Sequence, residues 1–168
     1  PCVSIRRFFR ETLTVERLVG FGAMTEDTAV ALHALVASKL NVLIAGGTGS
    51  GKTSMLNALS SFIPEGERVV VIEDSRELQL QRDHVCMLEA RPADPKGRGE
   101  VTIRDLFRAT LRLRPDRIVV GEIRGREALD LIQAMTSGHG GCLSTLHATY
   151  PRDTLSRFET MAMMSDLQ

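Results

Sequence analysis

Asn41-Val42-Leu43-Ile44-Ala45, followed at once by Gly46-Gly47-Thr48-Gly49-Ser50-Gly51-Lys52-Thr53, is the stretch on which the fold turns. The first five residues form an apolar run of strand length, and the next eight fit the pattern GxxxxGK[ST]. Beyond Ser54, Met55, Leu56, Leu59, Phe62 and Ile63 recur at helical spacing, and Pro64 is expected to end that helix. Glycines let backbone N–H groups turn inward around phosphate oxygens, and the helix N-terminus adds its positive dipole end. The residues expected to hold the phosphates are therefore Gly47, Thr48, Gly49, Ser50, Gly51, Lys52, Thr53 and Ser54. Lys52 is expected to reach the outer phosphates, and the Thr53 hydroxyl to ligate Mg²⁺.

The same rhythm continues downstream. Arg68 to Ile72 is a nearly unbroken β-branched run of the kind buried on both faces. Further strands are read at Val85–Glu89, Arg117–Val120 and Leu143–Leu146. Helices are read from Thr102 to about Arg112, over Glu127–Met135 and from Asp153, the last with Leu155, Phe158, Met161 and Ala162 on one side. Strands and helices in alternation predict a mostly parallel sheet flanked by helices, an α/β fold. Upstream, Thr14 and Thr25 are read as N-caps of two helices, the second with an incomplete capping box and an apolar face of Val30, Leu32, Leu35 and Val36. Val3-Ser4-Ile5 reads as a short strand before Arg6, Arg7 and Arg10.

Three acids and two histidines stand at expected strand ends. Glu73 follows the Arg68–Ile72 strand, and in sheets of this kind the carboxyl ends of the strands carry the site. Glu73 is the candidate to orient or deprotonate an attacking water. Asp74 beside it reads equally as a turn cap. Glu122 follows Val120 with Gly121 intervening, one residue later than in the common pattern, and is expected to reach Mg²⁺ directly or through its water shell. The alternative is a glutamate paired with Arg124 or Arg126. His139 and His147 frame the Leu143–Leu146 strand and read as γ-phosphate sensors; their spacing is not that of a zinc pair. Arg104, Arg108 and Arg112 recur every fourth residue and predict a cationic helix stripe, either solvated or facing the phosphates of a neighbouring subunit.

Of 168 residues, 43% are apolar and 25% charged, the composition of a globular domain, and 21 basic residues balance 21 acidic ones. Zero net charge, one tyrosine and no tryptophan argue against a nucleic-acid motor. All the basic residues except Lys39, Lys52 and Lys96 are arginines, which suits phosphate or carboxylate recognition. Cys2, Cys86 and Cys142 are too scattered for a disulfide framework, and no apolar stretch approaches the roughly 20 residues of a membrane span. A cytoplasmic location is expected.

Taken together, these residues resemble the traffic ATPases of type II and type IV secretion and pilus systems, and within them the CpaF-type ATPases of tight-adherence (Flp) pili. The resemblance is carried by Ser4-Ile5-Arg6-Arg7-Phe8, Gly46–Thr53, Ile72-Glu73-Asp74 with Glu77-Leu78, Gly99 to Arg104, Arg114 to Glu122 with Arg124, Gly138-His139, Thr145 to Ala148 and Ser156 to Met161. It implies a RecA-like P-loop NTPase core in a homo-hexamer that binds ATP and Mg²⁺ and works at the cytoplasmic face of the inner membrane, held there by platform proteins. By resemblance Glu73 is the general base of the Asp box, Glu122 the Walker B acid, and His139 with His147 the His box. Lys52, Glu73, Glu122 and His147 are thus the expected catalytic set, and Arg104, Arg112 and His139 additional nucleotide contacts. Arg6 or Arg7 is suggested to approach nucleotide from the linker. Residues 1–12 are read as that linker with the last strand of an otherwise missing N-terminal domain. Residues 13–168 are read as the core, truncated before the family's C-terminal helices. Arg76 stands where a small residue is expected. The alternative function is a nucleotide-binding interaction fragment with little turnover of its own.

Overall fold

The computed structural model describes residue 3 and residues 13–80 and 82–164. The expected strand Val3-Ser4-Ile5, Val3 apart, and Arg6, Arg7 and Arg10 lie outside the described residues. Helix α1 (Val15–Gly20) begins where the Thr14 hydroxyl accepts the N–H of Arg17 at 3.3 Å. Helix α2 (Glu26–Ala37) begins at Thr25, which accepts the N–H of Thr28 at 3.2 Å. The Thr28 hydroxyl bonds the Thr25 hydroxyl at 2.8 Å, a side-chain contact in place of the missing capping box. The apolar face of α2 is narrower than expected: Val36 is buried and Leu32 partly so, while Val30 and Leu35 are exposed.

Five strands follow: β1 (Val42–Gly46), β2 (Val69–Glu73), β3 (Val85–Glu89), β4 (Arg117–Ile123) and β5 (Leu143–His147). They form one sheet in the order β1-β5-β4-β2-β3, with every pairing parallel. Helices α3 (Lys52–Ser60), α4 (Ile103–Thr110), α5 (Glu127–Thr136) and α6 (Pro151–Met163) cover it. Alternation along each strand sorts the core onto two faces. Val69, Val71, Val119 and Leu143 pack with Leu56, Leu59 and Ile63 of the α3 segment. Val70, Ile72, Ile118, Val120 and Leu146 pack with Phe107 of α4, Leu131 of α5 and Phe158 and Met161 of α6. Every residue of β2 is buried, as its β-branched run predicts. Each fully buried Leu or Ile here contributes about 1.5–3 kcal/mol of transfer free energy.

Helix ends depart from the sequence reading in three places. Helix α3 stops at Ser60 rather than at Pro64, and tighter bonds from Phe62 and Ile63 to the carbonyls of Leu59 and Ser60 finish the turn. The Arg82 guanidinium then takes the Ser61 and Pro64 carbonyls at 2.8 and 2.9 Å. Helix α4 loses its α-helical register at Thr110 and continues as a 3₁₀ turn, Leu111–Leu113. Helix α6 starts at Pro151, and its Leu155 is 70% exposed rather than on the packed side. No helix among the described residues is long and apolar enough to cross a membrane.

Candidate functional site: a row of charged residues at the carboxyl ends of the strands

The glycine loop leaves the carboxyl end of β1 and enters α3 through Gly51, whose φ of +89° is left-handed; Gly49 has φ +73°. Gly46 has another reason to lack a side chain, since a Cβ there would collide with the Ser50 hydroxyl. No side chain caps α3, so its first-turn N–H groups at Lys52, Thr53 and Ser54 are left for a ligand at the loop. Lys52 Nζ and Ser50 Oγ both donate to the Gly47 carbonyl, at 2.8 and 2.9 Å, which folds the lysine back across the cradle.

Topology supplies the neighbours. Because β5 lies between β1 and β4, His147 at its carboxyl end stands between the loop and Glu122. Its Nε2 is 3.5 Å from Lys52 Nζ and 2.8 Å from Glu122 Oε1. Glu122 Oε1 is buried and, apart from this contact with His147, has no hydrogen-bond partner.

Gly121, which displaces the acid by one residue, is explained by a bulge. From Val120 to Ile123, β4 advances three residues while β5 advances two, from Ser144 to Leu146. The Thr145 hydroxyl donates to the Gly121 carbonyl at 2.7 Å and fixes the irregularity. In a regular strand Glu122 would share the face of Ile118 and Val120, under α4 and α5. The bulge returns Ile123 to that face and leaves Glu122 beside His147, on the α3 side. The expected strand Arg117–Val120 is therefore too short; β4 carries Glu122 within it.

Glu73 closes the row. It ends β2 on the α3 face, only 5% exposed, with its Cγ over Gly121 at 3.0 Å from where a Cβ would stand. Its Oε1 accepts the N–H groups of Glu77 and Leu78 at 3.0 and 2.9 Å. The loop making these bonds is pinned by buried Leu78 and by Gln79, whose N–H donates to Asn57 of α3 at 3.0 Å. Burial pushes the Glu73 carboxyl above its ordinary value, and the two backbone bonds oppose this only in part. Arg76, where a small residue was expected, is exposed and leaves this arrangement intact.

Not every expected residue joins the row. His139 precedes β5, so about 13 Å of extended strand separates its level from that of His147. It lies at the amino end of the sheet, in the loop whose Gly140 packs on the Lys39 carbonyl and whose Gly141 packs on Arg117. His139 is thus not brought to the glycine loop of its own chain. The arginine stripe is broken as well. Arg104 and Arg108 both pair with Asp130 of α5, at 2.6 and 3.2 Å, on the face away from α3. Arg112 falls in the 3₁₀ turn and is exposed near the amino end of β4. Neither Arg104 nor Arg112 is brought to the glycine loop.

Glu122 also has the partner that the alternative reading named, Arg124, while the residue that fixes that arginine's backbone, Glu127, went unread. Arg124 grips Glu122 Oε2 through Nε and Nη2, at 2.7 and 2.6 Å, and reaches Asp74 Oδ2 at 3.0 Å. These carboxylates raise its already high pKa. Buried Glu127, at the start of α5, accepts the N–H groups of Arg124 and Gly125 at 2.6 and 2.9 Å and fixes the backbone there. An acid three residues beyond Arg124, at a helix start, was the signal for that lock. Together these side chains offer a phosphate cradle, a cation beside it, one unsatisfied carboxylate oxygen and one desolvated carboxylate.

The family model described as type II/IV secretion system protein matches residues 1–167. A putative conjugal transfer protein of Mycobacterium tuberculosis is 40% identical over 166 residues, 99% of this chain and 47% of the relative. The type IV secretion system protein PtlH of Bordetella pertussis is 47% identical over 124 residues, 73% of this chain and 36% of the relative. Among solved structures, the VirB11 ATPase of the Brucella suis type IV secretion system, in complex with sulphate, superposes with a TM-score of 0.75 at 30% identity. That match covers 96% of this chain and 52% of the other. The matched region thus spans between about a third and a half of these relatives' length.

Proposed function

Because the chain belongs to the type II/IV secretion system protein family, we propose that it is the ATP-hydrolysing core of a motor that powers secretion or pilus assembly. The reaction is ATP plus water to ADP and phosphate. The observation that carries this reading is the row Lys52, His147, Glu122 and Glu73, which ends the strands on one face of the sheet beside an uncapped glycine loop.

The residues fit Mg²⁺ and a nucleotide triphosphate. The loop N–H groups and Lys52 would hold the phosphates, and the Thr53 hydroxyl and Glu122 Oε1 the metal or its waters, since that buried oxygen otherwise lacks a hydrogen-bond partner. Mg²⁺ held there would supply positive charge against the phosphate oxygens. Lys52 and the helix N-terminus stabilise the same charge from the protein side. Glu73 is the base: Oε1 is held by two backbone N–H groups, and Oε2 takes the water proton. Its raised pKa makes it a stronger base than an exposed glutamate. His147, between Lys52 and Glu122, orients both and follows the charge at the γ-phosphate.

The ring, a homo-hexamer, and its inner-membrane platform partners belong to this proposal. A hexamer would also give His139 and Arg112, remote from the loop in their own chain, a neighbouring subunit to face. The finer CpaF-type assignment predicts loss of tight-adherence pili when the gene is deleted. The second reading, a nucleotide-binding module with little turnover, is favoured by that same remoteness of His139 and Arg112. Phosphate release from ATP, measured with Mg²⁺ and with EDTA, separates them. Mg²⁺-dependent release supports the motor, binding without release supports the module, and absence of both defeats the phosphate site.

A further inference from the structure

We infer that Arg124 is a latch on the metal-binding carboxylate: its guanidinium holds Glu122 Oε2 and neutralises charge that a divalent cation at Oε1 would draw on, so cation and guanidinium compete for Glu122. The inference rests on the proposed Mg²⁺-nucleotide site and adds to it a residue that competes with the metal.

Arg124 and Glu122 form a closed contact. Two guanidinium nitrogens, Nε and Nη2, converge on the single oxygen Oε2 at 2.7 and 2.6 Å. The third, Nη1, is held by Asp74 just past the end of β2, at 3.0 Å. The glutamate is thus divided, with Oε1 turned toward His147 and Lys52 and Oε2 covered by a cation. A magnesium ion in strict octahedral geometry would take one oxygen, Oε1, and the positive guanidinium on Oε2 opposes it through the charge of the shared carboxylate.

The anchoring of Arg124 is that of a part meant to move at its tip. Its main chain is locked to buried Glu127 by two hydrogen bonds, together with that of Gly125. Its side chain is 61% exposed, whereas that of Glu122 is 18% exposed. Asp74, 60% exposed, keeps one guanidinium nitrogen when Oε2 is given up, so release does not require an isolated charge. Solvent on the outer side of Arg124 makes the latch weak enough to open and specific enough to bias the metal.

The test compares nucleotide affinity with and without the metal, using a fluorescent non-hydrolysable ATP analogue in Mg²⁺ and in EDTA. The ratio of the two dissociation constants reads the metal's contribution. With Arg124→Ala the latch is gone, and the ratio should rise about twofold to fivefold over wild type, the scale of a partly exposed ion pair. Arg124→Lys keeps the charge but loses the two-pronged grip, and should fall between. An unchanged ratio in both variants overturns the latch. A smaller ratio in Arg124→Ala also overturns it, by showing that the arginine holds Glu122 in place for the metal. Thermal unfolding of each variant verifies the fold, and Arg124→Lys keeps the comparison decisive if the alanine variant is unstable. If wild type binds no nucleotide in either buffer, the phosphate site itself fails and the latch with it.

Discussion

At the carboxyl end of the sheet, Gly49 and Gly51 turn an exposed loop around open space, and Lys52, His147 and Glu122 lie against one another. At the amino end, Gly140 and Gly141 turn a loop that is filled. A Cβ on Gly141 would overlap the Arg117 guanidinium, and one on Gly140 would stand 3.2 Å from the Lys39 carbonyl. Arg117 is fully buried and pairs through Nε with Glu67, which also meets Lys39 at 3.4 Å. Each end has glycines, a histidine, a basic residue and a glutamate. Both ends hold buried polar atoms without a hydrogen bond: Glu122 Oε1 at the first, Arg117 Nη1 and Nη2 and His139 Nδ1 at the second. The difference lies in access: the cradle N–H groups are uncapped beside an exposed loop, whereas Arg117 is sealed under the packed chain. The first arrangement suits binding, the second stability.

The largest expected effect is at the closed end. Arg117→Ala leaves Glu67 without its buried partner and should cost about 3–5 kcal/mol of stability, a fall in Tm on the order of 10 °C. Any nucleotide binding by the surviving folded protein should be unchanged, and a weaker affinity with no change in Tm would break the comparison. Lys52→Ala should do the converse, weakening ATP binding about tenfold to a hundredfold while Tm moves little. The glycines sharpen the contrast. Gly141→Ala, strained at φ +81° and overlapping Arg117, should destabilise by about 2–3 kcal/mol in a denaturant titration. Gly49→Ala, strained at φ +73° but facing open space, should cost about 1 kcal/mol and act chiefly on nucleotide affinity.

The smallest effect is a pH slope. The native state holds the Glu73 proton more tightly than the unfolded chain does, because burial raises its pKa from 4.5. Stability from this group is therefore full below the unfolded value and is lost as pH rises through the higher folded value. Glu73→Gln should remove that loss, so the stability of wild type relative to the variant should decline across this window. A flat difference between the two curves would show that the carboxyl is not desolvated.

Much of this was legible in the chain. The apolar run, glycine loop and amphipathic segment from Asn41 to Ile63 determine β1, the cradle and α3, because each step has a local physical cause. The parallel sheet followed from the alternation of elements. Other features depend on pairing that no local pattern contains. Gly121 signalled an irregularity in β4, but that it is a bulge turning Glu122 toward α3 depends on the register with β5. The misplaced histidine has the same origin: two histidines framing a parallel strand stand at opposite ends of the sheet. The arginine stripe failed where α4 tightens after Thr110, and Asp130, which pairs two of its members, lies on another helix. Arg117 opened a strand in the reading; its burial appears only once the Gly141 loop is folded over it.

The most direct test of the account is single-turnover phosphate release from Mg-ATP by wild type and by Glu73→Gln, with binding of the ATP analogue measured alongside. Glutamine is isosteric and keeps an oxygen for the N–H groups of Glu77 and Leu78. The variant should therefore fold and bind nucleotide as wild type does, while release slows by about 10²–10⁴-fold. Release at the wild-type rate from a folded, nucleotide-bound Glu73→Gln protein would contradict the assignment of Glu73 as the base.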